Sequence, residues 1–217
     1  MHSVKYDLKL FLQDVSELEL ERFIPVFHRW IQDQVLEELL IDVADYRHVH
    51  HGPGVVLIAH DAHYAMDMAE GRLGLLYSRR RETHASRSAL HRIEDRLASV
   101  FQCALTACQQ LEAEPALDDQ CRFRGDVLLL RCNDRLHAPN TPEAYNDLRQ
   151  HLVPFLAMLY PDQSVEVEHV GEPTALLTVA IRATENPSVG TLLARLAPHV
   201  PHATNLVTQL STTPPNR

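Results

Sequence analysis

The feature that most constrains this chain is an ordered change of hydrophobic period that occurs twice. Residues 5–13 alternate, with Tyr6, Leu8, Leu10 and Leu12 on one side and Lys5, Asp7, Lys9, Phe11 and Gln13 on the other. That is the period of a strand with one face buried. The period then becomes helical: Leu20, Phe23, Ile24, Phe27, Trp30 and Ile31 form one stripe, entered through a Ser16/Glu19 capping box. Two strand-like runs follow, Leu39–Tyr46 and Val55–Ala59, around the turn Gly52-Pro53-Gly54. A fourth strand is expected at Leu73–Tyr77, whereas residues 61–70 are polar and specify no clear element.

The second half runs the same course. Val127–Leu130 reads as a strand, and Thr141 and Pro142 start a helix with Tyr145, Leu148, Leu152, Phe155, Leu156 and Leu159 as its stripe. Val165–His169 and Leu176–Ile181 then read as strands around Gly171-Glu172-Pro173, before a short helix over residues 189–197. Each helical stripe holds a proline, Pro25 and Pro154, which the pattern places at equivalent points of two copies. Between the halves, Leu90, Ile93, Leu97, Val100, Ala104, Ala107 and Leu111 alternate spacings of three and four residues. With Ser86 as cap and Pro115 as stop, this gives a helix about 28 residues and about 40 Å long. The expected fold is α+β: two β-α-β-β pseudo-repeats joined by a long helix, with helices packed on one face of a sheet. Residues 1–82 form the first repeat, 83–115 the connecting helix, 116–202 the second repeat with its short terminal helix, and 203–217 a flexible tail, all within one compact domain. The long seam packs on the chain's own sheet, or pairs with a second copy to give a homodimer through residues 86–113.

Charge narrows the partners. The chain has 29 acidic against 20 basic residues, a net charge of −9. That balance repels phosphate backbones, so no nucleic-acid partner is expected. The one basic run, Arg79-Arg80-Arg81, reads as a solvated strand end or as a local anion site. The apolar runs are far short of the ~20 residues that span a bilayer, and the N-terminal residues lack the pattern of a secretory signal, so no membrane partner is expected. Four cysteines without a CxxC pair read as reduced thiols, which points to a cytoplasmic protein.

The densest polar chemistry lies between residues 42 and 63. Five histidines, His48, His50, His51, His60 and His63, accompany Asp42, Asp45 and Asp61. In an extended chain His48 and His50 point to one side, and with His60 they are candidate ligands for a divalent transition metal. In a hairpin, however, His60 diverges from the turn. The chain also uses 14 histidines in all, so ordinary turn histidines are the competing reading. Asp42 is expected on a face with Leu40, Ala44 and Tyr46, partly buried and in need of a partner. His28 lies at the edge of the first helical stripe, next to Trp30, while the second half has Ala157 in the matching place. The candidate ligand-binding residues are therefore His28, Asp42, Tyr46, His48, His50 and His60. No nucleotide-binding glycine loop, nucleophile elbow or HExxH motif is present in the sequence.

The segments FHRWIQ at 27–32, LLIDVADYRHVHHGPGVVLIAH at 39–60 and GRLGLLYSRR at 71–80 resemble a bacterial family of cyanobacteria and chemolithotrophs. That resemblance implies no activity. The doubled strand–helix–strand–strand order is similar in topology to the GyrI-like and SOUL haem-binding folds, which implies a groove for a small molecule between the copies. Three functions follow from the sequence. The first is a non-catalytic small-ligand-binding or regulatory protein, with its ligand near the first repeat's histidine-rich hairpin. The second is an enzyme using His28, His48, His50 or His60 as metal ligands or general bases. The third is a structural protein that dimerises through the long helix.

Overall fold

Alternating segments become strands because each has one apolar side to bury, and here they join into a single sheet. A computed structural model describes residues 5–13, 18–80, 92–172 and 174–200. The strands are β1 (Tyr6–Leu12), β2 (Leu40–Tyr46), β3 (Gly54–Ala59), β4 (Ala62–Asp67), β5 (Gly74–Arg79), β6 (Phe123–Cys132), β7 (Val165–Val170) and β8 (Leu177–Ala183). The helices are α1 (Phe23–Asp33), α2 (Ile93–Glu112), α3 (Pro142–Leu159) and α4 (Val189–Leu196). The eight strands follow the order β2-β3-β4-β5-β1-β6-β8-β7, and every neighbouring pair is antiparallel. The fold is α+β.

The topology shows how the two halves correspond. In the second half the strand before the helix pairs with the last strand, which pairs with the middle one: β6-β8-β7. The first half has the same order, β1 to β3 to β2, except that the hairpin β4–β5 stands between β1 and β3. The halves meet where β1 pairs with β6. Strand β4 lies in the stretch the sequence left unassigned. It is buried on both sides along most of its length, so it shows no simple alternation.

The prolines do not occupy equivalent places. Pro25 sits in the first turn of α1, where its backbone nitrogen has no helical acceptor to lose. Pro154 lies well inside α3, on an exposed side where water can reach the freed carbonyl. Glu19 precedes a 3-10 turn at Leu20–Arg22 and makes no side-chain cap; its expected capping-box partner, Ser16, lies outside the described residues. The long helix is shorter than the spacing suggests: α2 begins at Ile93 after an extended Arg92. Ser86, Arg81 and the tail 203–217 lie outside the described residues.

All four helices cover one face of the sheet. Phe23, Phe27 and Trp30 of α1, Leu97, Phe101 and Leu105 of α2, Leu148 and Phe155 of α3, and Leu192 of α4 join one hydrophobic cluster with Leu8, Leu57, Tyr77, Leu130 and Val179 of the strands. The α2 seam is thus occupied within the chain, including Leu97, Val100, Ala104, Ala107 and Leu111, all buried. Each fully buried leucine or phenylalanine contributes roughly 1.5–3 kcal/mol. The other face, the open face, carries no α-helix among the described residues, only the 3-10 turn Ala69–Gly71 over Lys9. Its small apolar patch is Phe11, Leu129 and Ala180, with the Arg72 guanidinium over the Phe11 ring at 4.4 Å.

Candidate functional site

The structure disperses the histidine-rich stretch. His48, His50 and His51 sit in the loop between β2 and β3, all exposed, with the rings of His50 and His51 3.9 Å apart. His60 follows the opposite end of β3. The six steps from Gly54 to His60 span about 20 Å at ~3.4 Å each, so the expected metal trio His48, His50 and His60 does not converge. Among the described residues no group of three or more His, Cys, Asp or Glu side chains is placed to hold a metal. His28 is exposed on α1, and Tyr46 is 42% exposed. Asp42 is exposed rather than partly buried, and its Oδ1 accepts from the Val43 backbone at 2.8 Å. A shift of register between Leu40 and Asp42 explains the correction. The extra residue, Ile41, leaves Leu40 facing the helices while Asp42 turns to the open face.

The polar residues that do converge come from several strands. Following the registers across the open face gives one unbroken row: Asp42, Ile58, His63, Ser78, Asp7, Arg131, Thr178 and Val170. Beyond one stretch of this row the sheet ends in a cleft of about 580 Å³, lined by Lys5, Ile41, Ile58, Ala59, His60, His63, Arg79, Arg80 and Asn133. Lys5, Arg80 and Asn133 continue the alternation of Asp7, Ser78 and Arg131 by one step.

Three lining residues are permanent cations, and no lining residue is a carboxylate. Elsewhere the acid-rich chain pairs its arginines: Arg22 with Asp118, Arg47 with Asp45, Arg124 with Asp126 and Arg182 with Glu168. Among the described residues the side chains of Lys5 and Arg80 have neither an ion pair nor a hydrogen bond. Arg79 is anchored without a carboxylate contact. Its Nε donates to the Tyr77 hydroxyl at 3.1 Å and its Nη2 to Ser99 Oγ at 3.0 Å. Tyr77 and Tyr64 in turn donate to the two oxygens of Glu38, at 3.0 and 3.1 Å. This network on the helix side fixes one wall of the cleft. Its thiol, Cys103, is pushed up to about 11 by burial, with Glu38 adding to the effect, so it is no thiolate nucleophile near neutral pH.

Asp7 lies behind the cleft, 4% exposed. Asn133 donates to its Oδ2 at 3.2 Å, while its Oδ1 is buried with no hydrogen-bond partner among the described residues. Burial pushes its carboxyl up to about 6, against the opposing effects of Ser78, Asn133, Arg131 and Arg80. Arg131, directly opposite Asp7, is drawn instead to Glu70. Burial, then Arg80, lowers the pKa of His63, which favours the neutral ring. At the rim, the His60 Nδ1 and Asp61 Oδ1 are 2.9 Å apart.

His63, Ser78 and Asp7 are the residue types of a nucleophilic triad in an order that does not serve one. The hydroxyl stands between the other two, and His63 is two strand spacings, ~10 Å, from Asp7. A relay needs the imidazole in the middle. Of the residues that build the cleft, the sequence signalled His60, His63 and the Arg79-Arg80 pair. Lys5 was visible as part of a polar strand face, and nothing local pointed to Asn133 or Ile58.

No family model matches the sequence, and neither curated proteins nor solved structures include a match. Among the described residues no helix is long and apolar enough to cross a membrane.

Proposed function

We propose that this protein is a non-catalytic binder of a small molecule, held in the cleft at the Lys5 end of the open face, and that it works in the cytoplasm. The observation that carries the reading is the cleft itself. Its volume falls within the ~300–1,000 Å³ range of small-molecule sites, and it combines an apolar wall, Ile41, Ile58 and Ala59, with convergent polar groups from β4 and β5, the residue before β1 and the residues after β3, β5 and β6. The absence of a working triad order and the raised thiol of Cys103 favour binding over covalent catalysis. Four cysteines free of disulfides fit a reducing compartment.

An acid–base enzyme is the second reading, and Asp7 is what favours it: a carboxyl pushed up to about 6 is poised for proton transfer near neutral pH. Asp7 lies behind the lining residues rather than among them, which ranks this reading second.

The binding proposal is tested with a panel of small metabolites, scored by the shift in thermal midpoint of the wild type and of Ile58→Trp, which fills the cleft. Circular dichroism checks the fold of the variant. Ligands that stabilise the wild type and lose their effect in Ile58→Trp support the site. Ligands that stabilise both equally place binding elsewhere and overturn it.

A further inference from the structure

Resting on the cleft as a ligand site, we infer that its occupant is a small organic oxyanion, a carboxylate or phosphate carried on a short apolar body. The first ground is charge. A chain with 29 acidic and 20 basic residues has ample carboxylates to neutralise its cations, yet among the described residues Lys5, Arg79 and Arg80 converge in the cleft without a carboxylate in contact. Glu38 behind Tyr77 offsets Arg79 in part, and Asp7 offsets Arg80, but neither carboxylate lines the cleft, so an anion placed in it meets three cations directly. Arg80 offers a whole guanidinium fork, and the Nη1 of Arg79 has no partner among the described residues. Guanidinium forks match the paired oxygens of carboxylates and phosphates.

The second ground is the neutral part of the lining. The Asn133 amide and the rings of His60 and His63 supply hydrogen-bonding groups, and the lowered pKa of His63 leaves its ring able to accept as well as donate. Ile41 is 52% exposed at the mouth, with Ile58 and Ala59 behind it. A bare inorganic ion leaves this apolar wall against water, whereas a hydrocarbon body buries it at about 25 cal/mol per Å². Two carboxylates oppose the anion. Asp61 stands at the rim beside His60, and Asp7 lies behind Asn133. Neither lines the cleft.

The test is calorimetric titration of the full chain, at fixed ionic strength, with hexyl phosphate, hexanoate, inorganic phosphate and neutral hexanol. The expected result is that hexyl phosphate or hexanoate binds at least tenfold more tightly than inorganic phosphate and hexanol. The Lys5→Gln/Arg80→Gln double variant, which breaks no described contact of either side chain, then weakens that binding at least tenfold. The tighter of the two amphiphiles identifies the head group. No binding of either amphiphile at millimolar concentration overturns the inference, as does equal binding by the double variant. So does inorganic phosphate binding as tightly as the amphiphiles, since the apolar wall is then unused. A neutral ligand from the metabolite panel that is lost in Ile58→Trp but kept in the double variant sinks the oxyanion while leaving the binding proposal standing.

Discussion

The two ends of β3 look alike in the sequence and differ in space. One end opens into the loop holding His48, His50 and His51, and the other runs into His60 and His63. At the loop end the three histidines belong to one segment and are exposed, and among the described residues no metal-holding group forms there. At the cleft end fewer histidines are present, but β1, β5 and the residue after β6 arrive there too. A dense run of polar residues in sequence therefore need not converge in space, whereas modest residues delivered by several strands can. What holds the loop end is not histidine at all. Gly54 adopts φ +70°, and a Cβ there would meet the Met66 carbonyl oxygen at 2.1 Å. Nearby, the ammonium of Lys9 is fully buried and bonds Asp67, the Ala69 carbonyl at 2.8 Å and Glu70 at 2.9 Å.

The contrast is open to attack by substitution. Lys9→Met has the largest expected effect: it strands the buried carboxylate of Asp67, and breaking a buried pair costs about 3–5 kcal/mol, read as a lower urea midpoint. Gly54→Ala follows, with a loss of about 3 kcal/mol from the left-handed backbone and the close carbonyl; a thermal midpoint unchanged within error would contradict the geometry. Both changes lie at the loop end.

Asp7→Asn probes the cleft end and works in the opposite direction. The folded carboxyl titrates at about 6 against an ordinary 3.8. Below about pH 4 both folded and unfolded states are protonated and the burial of charge costs nothing. As pH rises from about 4 through 6, the unfolded chain releases the proton first and stability falls. Above that window the whole penalty is present, on the order of 3 kcal/mol. The amide removes this dependence, so Asp7→Asn is expected to gain on the order of 2 kcal/mol at pH 8 and nothing at pH 4. Denaturation curves at the two pH values check this, and an equal effect at both refutes it. The smallest effect belongs to the combined His48→Ala/His50→Ala/His51→Ala variant. Exposed loop side chains are expected to change stability by less than about 0.5 kcal/mol and to leave hexyl phosphate binding unaltered. A tenfold loss of binding in that variant would reverse the ranking of the two ends.

Much of the architecture was legible because period is a local property. The strand at Tyr6–Leu12, the helix capped by Thr141, whose side chain accepts from the Ala144 backbone, and the pair β7 and β8 all announce themselves within ten to twenty residues. What escaped depends on neighbours remote in sequence. Strand β4 is buried on both faces along most of its length and so shows no alternation. The bulge at Ile41 exists only in register with Ala59 and Ile58, and it reversed the expected facing of Asp42. The cleft draws on residues from Lys5 to Asn133, a span across which no motif spacing holds. His60, His63 and Arg79-Arg80 were the local hints, and only the assembled sheet reveals that no carboxylate lines the cleft beside them.

The hairpin β4–β5 is the one departure from the order shared by the two halves, and it acts as a spacer. Strands lie ~4.8 Å apart, so β3 alongside β1 would bring Ile58 within about 5 Å of the β1 backbone. With two strands between them the separation grows to about 14 Å. That added width is the mouth of the cleft, and the same two strands bring in His63, Arg79 and Arg80 to line it. Grafting such a hairpin between β6 and β8 would be a direct way to ask whether the same widening opens a comparable cleft in the second half.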